Sequence, residues 1–248
     1  MMDTVAQNEA KARRDLAACY RIFDHLGWIE LIYNHITVKV PGPEHHFLIN
    51  PYGLMYNEVT ASNLVKIDLG GRIIGDARYP VNPAGFIIHS AIHEALPQAQ
   101  CVMHVHTTAG MAVACKEGGL AMTNFYSAVL YNQVGYHDFE GITVNPGEKE
   151  RIVASLGDYR YLILRNHGLL TWGETIPEAF VRMWTLNRAC EIQIASGSIP
   201  GNDIPIPREV CEAAMRQALQ FKPKEGAGTD VFEAMRRIVD ARDPSYTS

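Results

Sequence analysis

The stretch CVMHVHTTAG, residues 101–110, combines a strand, a helix start and two histidines. Its first six residues form a short, mostly apolar run, which is typical of a buried strand. A threonine follows where a hydroxyl caps a helix, and small residues continue from there. Side chains two positions apart on a strand point to the same face of the sheet, so His104 and His106 project together. The stretch therefore predicts a buried strand that ends in two neighbouring imidazoles and leads directly into a helix.

Strand and helix patterns flank this stretch on both sides. Residues 8–26 place apolar and charged positions at helical spacing and stop at Gly27, which predicts a helix with a glycine cap. Further patterns predict hairpins at 31–50 and 65–74, strands at 133–139, 141–144 and 161–166, a hairpin turn at 167–173, and helices at 85–96, 108–115, 146–157, 175–196 and 208–221. Hairpins and crossovers together predict an α/β fold, a three-layer αβα sandwich around a central mixed, largely antiparallel sheet.

Composition and charge exclude several classes of protein. Of the 248 residues, 47% are hydrophobic and 20% are charged, as in ordinary folded globular proteins. The net charge of −5 comes without the clustered Lys and Arg that bind phosphates, so we expect no nucleic-acid partner. The sequence shows no apolar run of membrane-spanning length and no signal-like segment, so we expect a soluble cytoplasmic protein with no membrane partner. The five cysteines form no CxxC pair, which argues against a disulfide framework.

A segment rich in Pro and Gly, GSIPGNDIPIPREV, follows the predicted helix at 175–196. We therefore expect a main domain over residues 1–200 and a C-terminal extension over residues 201–248, which packs on the core or on a neighbouring subunit. Phe232, Arg237 and Tyr246 are the residues of this extension that could close over a site.

The two histidines of the opening stretch suit one divalent metal ion. A catalytic zinc site usually takes three protein ligands, and His167 is the best third candidate, because it directly follows a buried strand and precedes a turn at Gly168. His89 and His93, one helical turn apart, are an alternative pair, but they lack the glutamate that lies between the histidines of an HExxH site. The other histidines have ordinary surface or core explanations.

Six stretches resemble the class II aldolase/adducin family, and most closely its adducin-like bacterial-type branch. In chain order they are LIYNHITVKV, HFLINPYGLMYNEVTASNLVKID, VNPAGFIIHSAIHEALPQAQCVMHVHTTAG, GYHDFEGI, LILRNHGLLTWGETIPEAF and ACEIQIAS, within residues 8–197. The resemblance implies the aldolase-type αβα sandwich and a homotetramer with active sites between subunits. It also implies that His104, His106 and His167 bind a divalent metal, most commonly Zn²⁺, with Fe²⁺ or Mn²⁺ also compatible.

The sequence departs from the family's sugar-phosphate aldolases at several positions. Gly85 stands where these enzymes carry an acid/base glutamate, and Pro83 and Ala84 stand where they carry phosphate-binding serines. Asn34 remains recognisable, and Tyr52 precedes Gly53 at the position of a Thr-Gly turn. The resemblance therefore implies a small, non-phosphorylated substrate. Its implied contacts are Asn34, Gly53, Gly85 and His89.

The acid or base of the reaction must then come from elsewhere in the sequence. Family aldolases use a tyrosine or acid from the neighbouring subunit, and Tyr126 lies nearest that position, followed by Tyr131. A tyrosine is equally common as a plain interface residue. His137 could pair with Asp138 to orient a ligand, although a structural hydrogen bond at a strand end is the simpler interpretation.

These observations predict a divalent-metal-dependent lyase of the aldolase or decarboxylase type. Retro-aldol cleavage and decarboxylation both move electrons toward an oxygen that a cation can stabilise, and neither needs a proton to be removed from carbon. The expected substrate is a small hydroxy, keto or aromatic acid. Two alternatives stay open: a non-catalytic, adducin-like assembly module, and a non-haem iron oxygenase on the same scaffold.

Overall fold

Seven strands form one sheet in the computed structural model, which describes residues 2–142, 145, 147–220 and 226–248. The strands are β1 (His35–Lys39), β2 (Phe47–Ile49), β3 (Val65–Ile67), β4 (Cys101–Val105), β5 (Val134–His137), β6 (Tyr161–Leu164) and β7 (Gly168–Gly173). Their order across the sheet is β3-β2-β1-β4-β7-β6-β5. Every neighbouring pair is antiparallel except β5 and β6, which are parallel. The prediction of a mixed, largely antiparallel sheet is confirmed.

Eight α-helices accompany the sheet in the described residues. They are α1 (Met2–His25), α2 (Pro83–Ala95), α3 (Thr108–Ala114), α4 (Phe125–Val129), α5 (Glu148–Leu156), α6 (Ile176–Gly197), α7 (Arg208–Gln220) and α8 (Thr229–Arg242). Two short 3₁₀ helices lie at Tyr56–Glu58 and Pro244–Thr247. No described helix is both long enough and apolar enough to cross a membrane.

Helices cover both faces of the sheet, which gives the predicted three layers. Val102 of β4 packs with apolar residues of α2 and α5, whereas its neighbour Met103 packs with α1, α3 and α6. All five residues of β4 are buried, as expected for a strand covered on both sides. The central strand therefore carries its histidines out of a fully packed core.

Two threonines fix helix starts close to the sheet. The hydroxyl of Thr107 accepts a hydrogen bond from the Gly110 amide (3.1 Å), so α3 begins directly after β4, as predicted. Thr175 accepts from the Glu178 amide (3.2 Å) and starts α6 in the same way. These caps hold the chain near the strand ends in one conformation.

Several predicted elements differ from the structure. Residues 168–173 form β7, a buried strand between β4 and β6, and not the predicted hairpin turn; the turn is the short segment before it, where Asn166 has a φ of +57°. The predicted hairpin at 65–74 is reduced to β3 and one isolated bridge between Ile67 and Ile73. The predicted strand at 141–144 lies partly outside the described residues. Helices α4 and α8 were not predicted.

The C-terminal region packs on the same chain in this structure. Phe232 of α8 lies in the core with its ring 5.8 Å from that of Phe180, and Tyr246 is fully buried and donates its hydroxyl proton to Asp240. Both aromatic rings are core residues, so the prediction that they close over a site is wrong. The division at residue 200 stays a prediction.

Candidate metal centre

The antiparallel pairing of β4 with β7 brings three histidines to one edge of the sheet. Val105 at the end of β4 is the register partner of Leu169 near the start of β7. His106 follows the last residue of β4, and His167 precedes the first residue of β7. The antiparallel register therefore places His106 and His167, 61 residues apart in the chain, side by side.

The three rings converge on one point. One ligand nitrogen from each of His104, His106 and His167 lies within 4.8 Å of the others, and the ring centroids are 4.6–4.9 Å apart. The Nε2 atoms of His104 and His106 are 2.8 Å apart. Ligands of a tetrahedral zinc ion lie ~3.3 Å apart when Zn–N is ~2.0–2.1 Å. The spacing of these donors is thus close to that of ligands of one cation.

A backbone carbonyl fixes which nitrogen of His104 is free. Its Nδ1 donates a hydrogen bond to the carbonyl of Leu169 (3.0 Å), so the lone pair is on Nε2, the atom that faces His106. Metal-binding histidines usually make such a bond with their second nitrogen. The arrangement is that of a pre-oriented ligand.

Burial keeps all three rings in the metal-binding, neutral form. Burial, with a smaller contribution from neighbouring imidazoles, lowers the pKa of His104 well below its ordinary value and the pKa of His167 to about 4. Burial also lowers the pKa of His106, although the nearby Glu30 carboxylate acts in the opposite direction. A neutral imidazole has the lone pair that a cation needs.

Gly168 permits the close approach of the ligands. A Cβ at this position would lie 2.5 Å from the carbonyl oxygen of Val105, 3.0 Å from Cδ2 of His106 and 3.2 Å from Cε1 of His104. No side chain fits there without separating the strands. The glycine after His167 therefore allows the three rings to lie this close together.

A second group of histidines lies behind the first, between β1 and α2. The rings of His35 and His89 are joined by a hydrogen bond of 2.9 Å, and the hydroxyl of Thr37 lies 2.7 Å from both His89 Nδ1 and His93 Nε2. All four side chains are buried, and burial lowers the pKa of His35 and His93 to about 3 and that of His89 well below its ordinary value. His89 and His93 thus share a hydroxyl group, in contrast to the alternative of a shared metal.

The predicted substrate contacts lie in different surroundings. Both ring nitrogens of His89 are engaged in the hydrogen bonds just described. Asn34 is buried, its Nδ2 donates to the Trp28 carbonyl (3.4 Å), and its Oδ1 has no partner among the described residues. Gly53 has a φ of +100° and open space around its missing Cβ. These roles stay predictions.

Gly85 is packed against His35, a histidine for which the sequence predicts only an ordinary surface or core role. A Cβ at Gly85 would lie 2.2 Å from Cδ2 of His35, so the imidazole fills the space beside the glycine. His35 is also the register partner of His104, and their ring centroids are 5.2 Å apart. Two polar residues at alternate positions of β1, His35 and Thr37, were the available signal, but only the pairing of β1 with β4 shows where they lie.

The structure places the predicted tyrosines elsewhere in this chain. The ring of Tyr126, on α4, packs edge-to-face on Trp184 with centroids 5.4 Å apart, and Tyr131 follows the same helix. Helix α4 packs against α6 and α7. The three metal-site histidines are not among these contacts, and a role for either tyrosine, which the resemblance implies from a neighbouring subunit, stays a prediction.

His137 makes structural hydrogen bonds at the end of β5, as the simpler interpretation predicts, and does not pair with Asp138; its catalytic role stays a prediction. Its Nδ1 hydrogen-bonds with the Ser155 hydroxyl (3.0 Å), and its Nε2 lies 3.4 Å from the buried Glu148 carboxylate. Asp138 lies beyond the end of β5, is exposed and pairs with Arg165 (3.4 Å). Adjacent strand residues point to opposite faces, which is why His137 faces α5 and Asp138 does not. A small cavity lined by His137 and His167 links this pair to the candidate centre.

Comparisons with known proteins point to one family. The sequence profile described as Class II Aldolase and Adducin N-terminal domain matches residues 14–194. An aldolase II superfamily protein from Pseudomonas syringae has a solved structure with a TM-score of 0.91 and 41% identity, which covers 100% of this chain and 99% of that chain.

Two further relatives differ in what their names describe. L-fuculose 1-phosphate aldolase from Glaciozyma antarctica PI12 has a TM-score of 0.85 and 30% identity, covering 98% of this chain and 94% of that chain. Alpha-adducin from Rattus norvegicus is 43% identical over 253 residues, which are 96% of this chain but 34% of that protein. Similar chains thus occur both as whole enzymes and as one part of a longer protein.

Proposed function

Because the chain belongs to the class II aldolase and adducin family, we propose that it is a divalent-metal-dependent lyase that cleaves a carbon–carbon bond in a small acid. The observation that carries the proposal is the convergence of His104, His106 and His167 at one sheet edge. The fixed tautomer of His104 and the missing side chain of Gly168 support it, because both serve the approach of the rings.

Zn²⁺ is the favoured ion, and Fe²⁺ and Mn²⁺ also accept imidazole ligands. A cation with three neutral ligands keeps its positive charge and, when bound, stabilises negative charge that develops on a substrate oxygen. The residues of the chain would hold the three imidazole lone pairs in place and shield the rings from water.

The substrate proposed is a non-phosphorylated hydroxy, keto or aromatic acid. The relative from Glaciozyma antarctica is named for a sugar phosphate, but this sequence has Pro83 and Ala84 where the family's aldolases carry phosphate-binding serines. Gly85 also leaves no carboxylate to remove a proton from carbon. Cleavage that starts at a carbon–carbon bond, by retro-aldol reaction or decarboxylation, is the chemistry least affected by these losses.

We place the proposed enzyme in a homotetramer with sites between subunits. Tyr126 or Tyr131 would then reach the neighbouring subunit's site and supply or accept a proton. Phe125, beside Tyr126, is 71% exposed, so this part of the helix is accessible to a neighbouring subunit. Light scattering and the activity of Tyr126→Phe test this part.

The test of the function begins with metal analysis. Protein loaded with Zn²⁺, Fe²⁺ or Mn²⁺ is screened with hydroxy, keto and aromatic acids for release of CO₂ or aldehyde, and the iron form is also screened with O₂ for oxygenase activity. His104→Ala should abolish turnover, whereas His25→Ala, which removes an exposed histidine, should retain it. Turnover that is equal in the two variants would refute the proposal.

The identity to alpha-adducin favours one second candidate, a non-catalytic assembly module. A module of this kind needs no cation, so the two functions differ in a simple property. Purified protein that binds none of the three metals would support the module and exclude the lyase.

A further inference from the structure

Four buried polar side chains form a continuous row of hydrogen bonds behind the candidate metal centre. The row runs from His35 Nδ1 to His89 Nε2 (2.9 Å), from His89 Nδ1 to Thr37 Oγ1 (2.7 Å) and from Thr37 Oγ1 to His93 Nε2 (2.7 Å). It ends where His93 Nδ1 meets the carbonyl oxygen of Ala99 (2.8 Å). None of its four side chains belongs to the group of converging ligand atoms.

The carbonyl at the end gives every bond in the row its direction. A carbonyl only accepts, so His93 donates from Nδ1 and its Nε2 has the lone pair. Nε2 therefore accepts the hydroxyl proton of Thr37, and the Thr37 oxygen must accept from His89 Nδ1. The Nε2 atom of His89 is then an acceptor as well, and it accepts from His35 Nδ1. With neutral rings, each hydrogen bond of the row has only one possible donor.

The consequence falls on the remaining nitrogen of His35. Because Nδ1 carries the proton, Nε2 has a lone pair, and it makes no hydrogen bond with any described residue. Nor is it one of the sealed, unpartnered polar atoms of the described core. It lies 2.5 Å from the position of a Cβ on Gly85, and its ring borders His104. His35 does not belong to the group of converging ligand atoms, so this accessible acceptor lies beside the centre without being one of its ligands.

We propose that His35 Nε2 contacts the substrate and accepts a hydrogen bond from its hydroxyl group, and that Thr37, His89 and His93 are positioning residues that hold the ring in this tautomer. The inference rests on the proposed function, since it assumes a substrate at the three-histidine centre. It narrows the substrate class from hydroxy, keto and aromatic acids to hydroxy acids. A keto group offers no proton to this nitrogen.

The tautomer is measurable without any substrate. In wild-type protein labelled with ¹⁵N, two-dimensional spectra that couple ring nitrogens to ring protons should show His35 protonated at Nδ1 and bare at Nε2. Thr37→Val removes the hydroxyl while keeping the shape, so a mixture of tautomers is expected, whereas Thr37→Ser should keep the wild-type pattern. A wild-type His35 that carries its proton on Nε2 would overturn the inference.

Binding of lactate and pyruvate to the zinc-loaded protein tests the role of the acceptor. Wild type should bind lactate more tightly than pyruvate. His35→Phe keeps a ring but removes the acceptor, so lactate affinity should fall roughly tenfold, the effect of one lost hydrogen bond, with little change for pyruvate. Thr37→Val should reduce the preference for lactate and Thr37→Ser should preserve it, which a merely structural role would not produce.

The outcomes separate the inference from the function it rests on. Zinc analysis of each variant is run in parallel, because the three ligands remain in all of them. Protein that holds zinc but binds the two acids equally, or that keeps its preference for lactate in His35→Phe, overturns the inference alone. Wild type without zinc refutes the lyase itself. If His35→Phe does not fold, the comparison of Thr37→Val with Thr37→Ser and the wild-type spectra still test the inference.

Discussion

Replacement of Gly168 by alanine should open the candidate metal centre. The new Cβ would lie 2.5 Å from the Val105 carbonyl oxygen, and an ordinary contact begins at 3.4 Å, so the two backbones must separate by about 0.9 Å. Val105 belongs to β4 with His104, whereas Gly168 is bonded to His167. Metal–nitrogen distances tolerate about ±0.2 Å. The substitution should therefore weaken zinc binding at least about tenfold, or ~1.4 kcal/mol.

Competition with a chromophoric chelator measures the zinc affinity of this variant. Gly197→Ala is the matched control, because its Cβ would meet nothing within 4 Å, and its zinc affinity should be unchanged. Overpacking should also lower the free energy of unfolding of Gly168→Ala by about 1–3 kcal/mol. If Gly168→Ala binds zinc as tightly as wild type, the three rings do not act as ligands of one ion.

Three further predictions concern the surrounding structure. Burial lowers the pKa of His93 from 6.5 to about 3, so between these pH values the unfolded chain binds a proton at this residue and the folded chain does not. The free energy of unfolding should therefore decrease as the pH is lowered, by about 2 kcal/mol at pH 5 relative to pH 7. Urea unfolding at both pH values measures this difference, and His93→Gln should remove the contribution of His93 to it. Tyr20→Phe should lower the free energy of unfolding by about 2–3 kcal/mol, because the hydroxyl donates to the Ile36 carbonyl (2.6 Å) and accepts from the Ile36 and Asn50 amides. An unchanged free energy of unfolding would contradict this prediction. Leu31 is exposed with a φ of +49°, so Leu31→Gly should raise the unfolding free energy by about 0.5–1 kcal/mol in the same assay, and a decrease would show that the backbone is not strained.

Local patterns in the sequence predicted the elements that carry the candidate centre. The apolar run before His104, the threonine cap after His106 and the buried strand before His167 are each readable from a few neighbouring residues. The convergence of the rings follows from the antiparallel pairing of β4 and β7. A strand between two glycines, Gly168 and Gly173, resembles a turn, which is why β7 itself was missed.

Features that depend on pairing or on distant packing could not be predicted in this way. The local signal of His35 is only its alternation with Thr37 on β1, and the register of β1 with β4 is what places it beside His104. The partner of His137 is set by how α5 crosses β5 and not by the adjacent Asp138. Helix α8 follows a segment rich in Pro and Gly, and its buried Phe232 acquires meaning only against Phe180.

Zinc content per chain tests the central claim most directly. After saturation with zinc and removal of the excess, elemental analysis should find one ion per chain in wild type and in His25→Ala, and none in His104→Ala, His106→Ala or His167→Ala, all checked for folding by circular dichroism. Wild type without zinc, or a folded His167→Ala variant that keeps a full equivalent, would contradict the account.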